Sequence, residues 1–208
     1  GGYTENPAGR SFSSFAEFLK TVPKGKPFCF WFGSHQPHRP YPAGSGARAG
    51  LRTGDVVVPP FWPDNESVRN DVLDYYAAVE RYDHQVGGLL KELQRAGKLD
   101  NTVVVMTGDN GWPFPRCKAN LYDGGTRQPL AVRWPAKVKP GQVCDDFINL
   151  MDLAPTFLEL AGLKSPAQMN GRSFAGLLTG KEQPGSRNVV FVERERHAYA
   201  RAGNVGYP

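Results

Sequence analysis

Apolar positions along this chain follow two patterns. From Val68 onward they recur at helical spacing. Val68, Val72, Tyr75, Tyr76, Val79, Tyr82, Val86, Leu89, Leu90 and Leu93 share one face. This predicts a helix from a Ser67 cap to about Ala96, closed by Gly97. Elsewhere apolar residues come in short unbroken runs. Phe28 to Phe32 and Thr102 to Met106 lack polar alternation, as strands covered on both faces do. Pro129 to Trp134 predicts a third short strand, Val143 to Leu150 an extended stretch and Asn188 to Glu193 a last strand. Ser11 or Ser13 is placed to cap a short helix through Lys20. Asp152 is placed to cap another, with Pro155 in its first turn and Gly162 at its end. Strands alternating with helices predict an α/β fold around a largely parallel sheet, with the long helix as the crossover into the Thr102 strand.

Composition narrows the class. The chain has 208 residues, enough for one domain with a sizeable core. Its 24 Gly and 18 Pro predict long loops, which is where α/β enzymes carry their sites. Residues 40–66 read as such a loop. The net charge of +5 suits an anionic substrate, although a solvated basic surface is its commoner cause. No Lys/Arg run with interleaved aromatics points to nucleic acid. No apolar run reaches the ~18 to 20 residues that span a membrane. Cys29, Cys117 and Cys144 show no metal spacing; Cys29 reads as a buried, inert thiol, and Cys117 as a loop thiol that is reactive or a bystander.

The chemistry gathers where predicted strands end. Asp109 and Asn110 follow the Thr102 strand, between Gly108 and Gly111. In open α/β sheets ligands bind beyond the carboxyl ends of strands. A carboxylate beside an amide carbonyl is a hard-oxygen pair, suited to Ca²⁺ or Mg²⁺, and equally an Asp-Asn-Gly turn with no ligand. His35 and His38 follow the Phe28 strand. Lys118 lies in the loop after Asp109. Singly, each is as readily a loop histidine or an exposed lysine. Together they suggest chemistry on an anionic ester: a metal polarises the group, Lys118 neutralises charge and His35 moves a proton.

Six segments in order resemble the sulfatases of the alkaline phosphatase superfamily. They are Ser34-His35-Gln36-Pro37-His38, Tyr82-Asp83-His84-Gln85-Val86-Gly87, Asp100-Asn101-Thr102 through Asp109-Asn110-Gly111, Tyr122-Asp123-Gly124-Gly125-Thr126-Arg127-Gln128-Pro129-Leu130, Arg133-Trp134-Pro135 and Asp152-Leu153-Ala154-Pro155-Thr156. Asn110-Gly111-Trp112-Pro113-Phe114-Pro115, followed by Asn120-Leu121-Tyr122, is similar to the loop of the sulfamidase (heparan N-sulfatase) branch. The resemblance implies an alkaline-phosphatase-like three-layer sandwich with a central, mostly parallel sheet. It implies hydrolysis of sulfate esters or sulfamates, on sulfated sugars such as glycosaminoglycans. Asp109 and Asn110 are then ligands of a single Ca²⁺ (or Mg²⁺), Lys118 and His35 are catalytic, and His38, Arg194 and His197 face the substrate. Sulfamidases typically carry Arg where Lys118 stands, and Lys lacks its bidentate fork, so N- and O-sulfate both remain open.

The family's nucleophile, a formylglycine made within Cys/Ser-x-Pro-x-Arg, has no such motif here. The resemblance therefore implies a single partial catalytic domain, the middle-to-late portion of a parent. The amino-terminal βαβ units and the carboxyl-terminal subdomain are expected elsewhere in that parent. The chain alone is expected to be inactive, to bind metal weakly, and to associate with the missing segment or with itself. Secreted, periplasmic or lysosomal placement is a family expectation. Two readings stand beside it: a phosphodiesterase or phosphonate hydrolase of the same superfamily, and a degenerate module that binds sulfated glycans.

Overall fold

The structure, a computed structural model, describes residues 9–194. It divides into two compact units, one through Leu99 and one from Asp100.

In the first unit, α1 (Phe15–Thr21) is capped by Ser14, whose side chain accepts the Glu17 N–H. Glu17 in turn accepts from the Ser13 N–H at 2.8 Å and from its hydroxyl at 2.6 Å. The cap is therefore Ser14, with Ser13 supporting it, rather than Ser11 or Ser13 alone. Phe15 and Phe18 of α1 pack on Phe30, with ring centroids 4.8 and 4.7 Å away. Phe28 and Phe30 are half-buried there, while Cys29 and Trp31 are exposed. The Phe28–Phe32 segment takes no strand pairing among the described residues, so the expected strand is an extended segment covered on one face. Cys29 is exposed rather than buried for the same reason.

Next comes α2 (Ser45–Arg48), a single turn within the expected long loop. Asp74 holds it: its buried carboxylate accepts the N–H of Gly44 at 2.9 Å and of Gly46 at 2.7 Å. Only glycine fits at Gly46, where a Cβ would lie 2.5 Å from the Leu73 carbonyl oxygen. Asp74 belongs to α3 (Glu66–Arg95), the predicted long helix. Its cap is Asn65 rather than Ser67, and the Asn65 side chain accepts the Val68 N–H at 3.0 Å. At the other end Gly97 is left-handed (φ 64°), and Lys98 N–H reaches Leu93 O at 2.9 Å. That is the glycine stop expected from sequence. The buried stripe is Val72, Leu73, Ala77, Ala78 and Leu93, whereas Val79 of the expected face is exposed.

In the second unit β1 (Val104–Thr107) is followed by α4 (Asp123–Thr126) and β2 (Leu130–Arg133). The two strands pair antiparallel, with Val105 opposite Val132 and Thr107 opposite Leu130. The expectation of parallel pairing does not hold for these two, because the loop between them turns the chain straight back without a crossover. β1 is half-buried rather than covered on both faces.

A short 3-10 turn, Leu150–Asp152, capped by Asn149, leads into α5 (Leu153–Leu160), which ends at Gly162 (φ 72°) as expected. Asp152 does not cap α5 with its side chain. Its carboxylate instead accepts Asn149 N–H at 3.1 Å and Arg172 N–H at 2.8 Å. Thr156, fully buried in α5, accepts the N–H of Phe174, which precedes α6 (Ala175–Thr179). Residues 143–149 form no strand among the described residues, although Phe147 N–H donates to Arg187 O at 2.8 Å. Residues 188–193 form no strand among the described residues; Val189 and Phe191 are exposed.

Candidate active site

β1 ends at Thr107, and the chain then turns through Gly108 to bring out Asp109 and Asn110. The Asn110 amide Nδ2 donates to Asp109 Oδ1 at 2.5 Å, which ties the two side chains together. Asp109 is exposed and Asn110 half-buried. Their oxygens have the hard-donor chemistry that Ca²⁺ or Mg²⁺ takes, but Ca²⁺ needs roughly six to eight of them. Among the described residues no group of three or more His, Cys, Asp or Glu side chains could hold a metal. The pair fits a metal site in kind and supplies only part of one in number.

The following loop is tied into a knot that fixes Lys118. The Trp112 carbonyl accepts both Phe114 N–H at 2.9 Å and Lys118 N–H at 3.0 Å. Arg116 and Ala119 take left-handed backbone angles, φ 64° and 62°, uncommon for residues with a Cβ. Cys117 between them is fully buried. Three glycines let the backbone close on it. A Cβ on Gly111 would lie 2.0 Å from Gly124 O, one on Gly124 2.7 Å from Cys117 Sγ, and one on Gly125 2.2 Å from Asn120 O. Burial pushes the Cys117 thiol above its ordinary range, which fits a packing bystander better than a reactive thiol. Lys118 is left half-buried on a rigid loop next to the Asp109 turn in sequence.

Asn120 joins this loop to the end of the described chain. Its Nδ2 donates to Lys118 O at 3.3 Å, and its Oδ1 accepts Arg194 Nη1 at a long 3.5 Å. Asn120 thus links the Lys118 backbone to the Arg194 side chain. His197 lies outside the described residues.

His35 and His38 belong to the first unit and share one turn. His38 N–H donates to His35 O at 2.8 Å, and both rings are exposed. Its prolines, Pro37 and Pro40, follow cis peptide bonds. His38 Nδ1 donates to Arg39 O at 2.5 Å. Three supports escaped sequence reasoning: Ser34 bonded to Gln85, Arg39 paired with Asp71, and Asn120. Gln85 and Asp71 sit at helical positions where polar residues ordinarily face solvent, so nothing local marks them.

The sulfatase family model matches residues 5–163. Human N-sulphoglucosamine sulphohydrolase is 41% identical over 128 residues, covering 61% of this chain and 26% of that protein. The chain spans about a quarter of the length of the curated relatives it matches. Among solved structures, one in complex with its substrate D-glucosamine-2-N,6-O-disulfate superposes with a TM-score of 0.52 at 28% identity, over 69% of this chain and 29% of that one. The phosphonate monoester hydrolase of Silicibacter pomeroyi superposes with a TM-score of 0.52 at 27% identity, over 70% and 30%. The α/β, alkaline-phosphatase-like class expected from sequence is the class of these neighbours. The chain belongs to the sulfatase family.

Proposed function

We propose that the complete protein hydrolyses sulfate esters or sulfamates on sulfated sugars, and that the two units described here are parts of its catalytic domain. The observation that carries this is the Asp109–Asn110 pair at the end of β1, followed by a tightly packed loop that fixes the Lys118 backbone. The sulfated glucosamine substrates named for two relatives support the choice of substrate class.

Asp109 and Asn110 would give two oxygens to a single Ca²⁺, or to Mg²⁺, whose charge would polarise the sulfate. The rest of its shell, and the formylglycine nucleophile, belong to the parent. Lys118 neutralises sulfate charge as a point cation. His35 gives a proton to the leaving oxygen or nitrogen. His38, Arg194 and His197 hold the sugar. The net reaction is water and a sugar sulfate giving the sugar alcohol (or amine), sulfate and a proton. A secreted, periplasmic or lysosomal setting belongs to the proposal. No helix among the described residues is long and apolar enough to cross a membrane.

The test is a substrate panel with the complete protein: glucosamine N-sulfate, glucosamine 6-O-sulfate, an aryl sulfate and an aryl phosphonate monoester. Faster turnover of a sugar sulfate than of the phosphonate supports the proposal, and the better sugar substrate decides between sulfamate and ester. Preference for the phosphonate, or sugar binding without sulfate release, contradicts it.

A further inference from the structure

The long helix α3 holds the histidine turn at two points. Toward one end, Asp71 takes Arg39 in a fork, with Nη1 to Oδ1 at 2.9 Å and Nη2 to Oδ2 at 2.5 Å. Toward the other, Gln85 Oε1 accepts the Ser34 hydroxyl at 2.6 Å. The same hydroxyl oxygen accepts the Gln36 N–H at 2.9 Å. Ser34 and Gln36 flank His35, so the backbone on both sides of that histidine is tied to one oxygen, and that oxygen is tied to the helix. The turn is closed below by His38 N–H on His35 O and by Tyr41 Oη on Pro37 O, each at 2.8 Å. Gln85 has no other part in the chemistry proposed above.

We propose that Gln85 is a positioning residue which, through the Ser34 hydroxyl, fixes the backbone around His35 and so aims its imidazole at the leaving group. This rests on the reading of His35 as the proton donor. In the net step an oxygen from water bonds to sulfur as the S–O (or S–N) bond to the sugar breaks, and the electron pair of the broken bond stays on the sugar oxygen (or nitrogen). That atom takes a proton from His35, which regains one from the water consumed, and the water's second proton is released with sulfate. A sugar alkoxide or amine anion is strongly basic and needs that proton as it leaves. A nitrophenolate is a stable anion and leaves without it. Misaiming His35 therefore slows sugar sulfates selectively, whereas a general loss of structure slows both.

The experiment measures kcat and KM of the complete protein on its better glucosamine sulfate and on 4-nitrophenyl sulfate. The variants are His35→Ala, Gln85→Leu and Gln85→Glu. Since a positioned acid contributes about 10²–10⁴ in rate, Gln85→Leu is expected to lower kcat on the sugar about tenfold, with KM and the aryl sulfate held within about twofold. Gln85→Glu keeps the acceptor oxygen and is expected to restore the sugar rate. Wild-type behaviour of Gln85→Leu on both substrates, or equal loss on both, overturns the inference. If Gln85→Leu does not fold, Ser34→Ala removes the donor instead; the same selective loss supports the inference, and its absence overturns it. If His35→Ala keeps full turnover of the sugar, the proton-donor reading falls and takes the inference with it. Loss in His35→Ala with a silent Gln85→Leu overturns the inference alone.

Discussion

Arg187 donates to Asp152 at 3.2 Å, and both side chains are buried, 5% and 10% exposed. The guanidinium also reaches the carbonyls of Arg172 and Ser173. Asp152 meanwhile receives the N–H groups of Asn149 and Arg172. One ion pair thus gathers the start of α5, the approach to α6 and the segment after it. Removing one partner leaves a buried charge without its counter-ion, which typically costs about 3–5 kcal/mol. Arg187→Met is expected to lower the urea midpoint markedly, and Arg187→Met with Asp152→Leu to recover part of the loss. An unchanged midpoint in the single variant would show that the pair does not hold these elements together.

The loop around Lys118 depends on glycine in a way that can be separated from helix glycines. Gly125→Ala drives a methyl into the Asn120 and Cys117 carbonyl oxygens, 2.2 and 2.4 Å away. Overpacking of this kind costs about 1–3 kcal/mol, and here it must also shift Lys118. Gly88 on α3 has nothing within 4 Å of its virtual Cβ. Gly88→Ala is expected to stabilise the chain by up to about 1 kcal/mol through helix propensity. Thermal unfolding of the two variants should move in opposite directions.

Cysteine labelling reads the same knot. Cys29 and Cys144 are exposed, while Cys117 is buried with its thiol pushed up by burial and hence poor in thiolate. Brief alkylation at neutral pH should add two labels to the native chain and three after denaturation, and peptide mass spectrometry should find Cys117 unlabelled in the native sample. Rapid native labelling of Cys117 would contradict the packing of Gly124 against it.

Tyr41 gives a pH signature in the first unit. Burial pushes its hydroxyl up to about 12, from an ordinary 10.0, with the Arg39 charge opposing the shift. The folded state therefore favours the neutral phenol. This contribution is full below pH ~10 and is lost as pH rises through the folded value. Stability should decline between pH 10 and 12, and Tyr41→Phe should flatten that decline. A decline of the same size in Tyr41→Phe would assign it to other groups.

The elements that sequence patterns revealed are those whose cause is local. The α3 stripe follows from side chains three and four apart, and Gly97 and Gly162 follow from a backbone turn that only glycine enters freely. Asn65 was harder, because Asn65 and Ser67 are both capping residues two positions apart and the sequence holds no further cue. Phe28–Phe32 misled because an unbroken apolar run implies two covers, whereas α1 supplies one. Asp109 and Asn110 were legible as polar residues just beyond a strand end. The distant contacts that tie down these loops were not: Gln85 lies 51 positions from Ser34, and Arg194 lies 74 from Asn120, separations that leave no periodic trace.

The central claim is that Asp109 serves sulfate hydrolysis through a divalent ion. The most direct test is sulfate release from a glucosamine sulfate by the complete protein and by its Asp109→Ala variant, with Ca²⁺ affinity of both measured by calorimetry. Loss of turnover by at least about 10³, together with weakened Ca²⁺ binding, is the expected result. Full sulfate release by Asp109→Ala, or Ca²⁺ binding unchanged by the substitution, would contradict it.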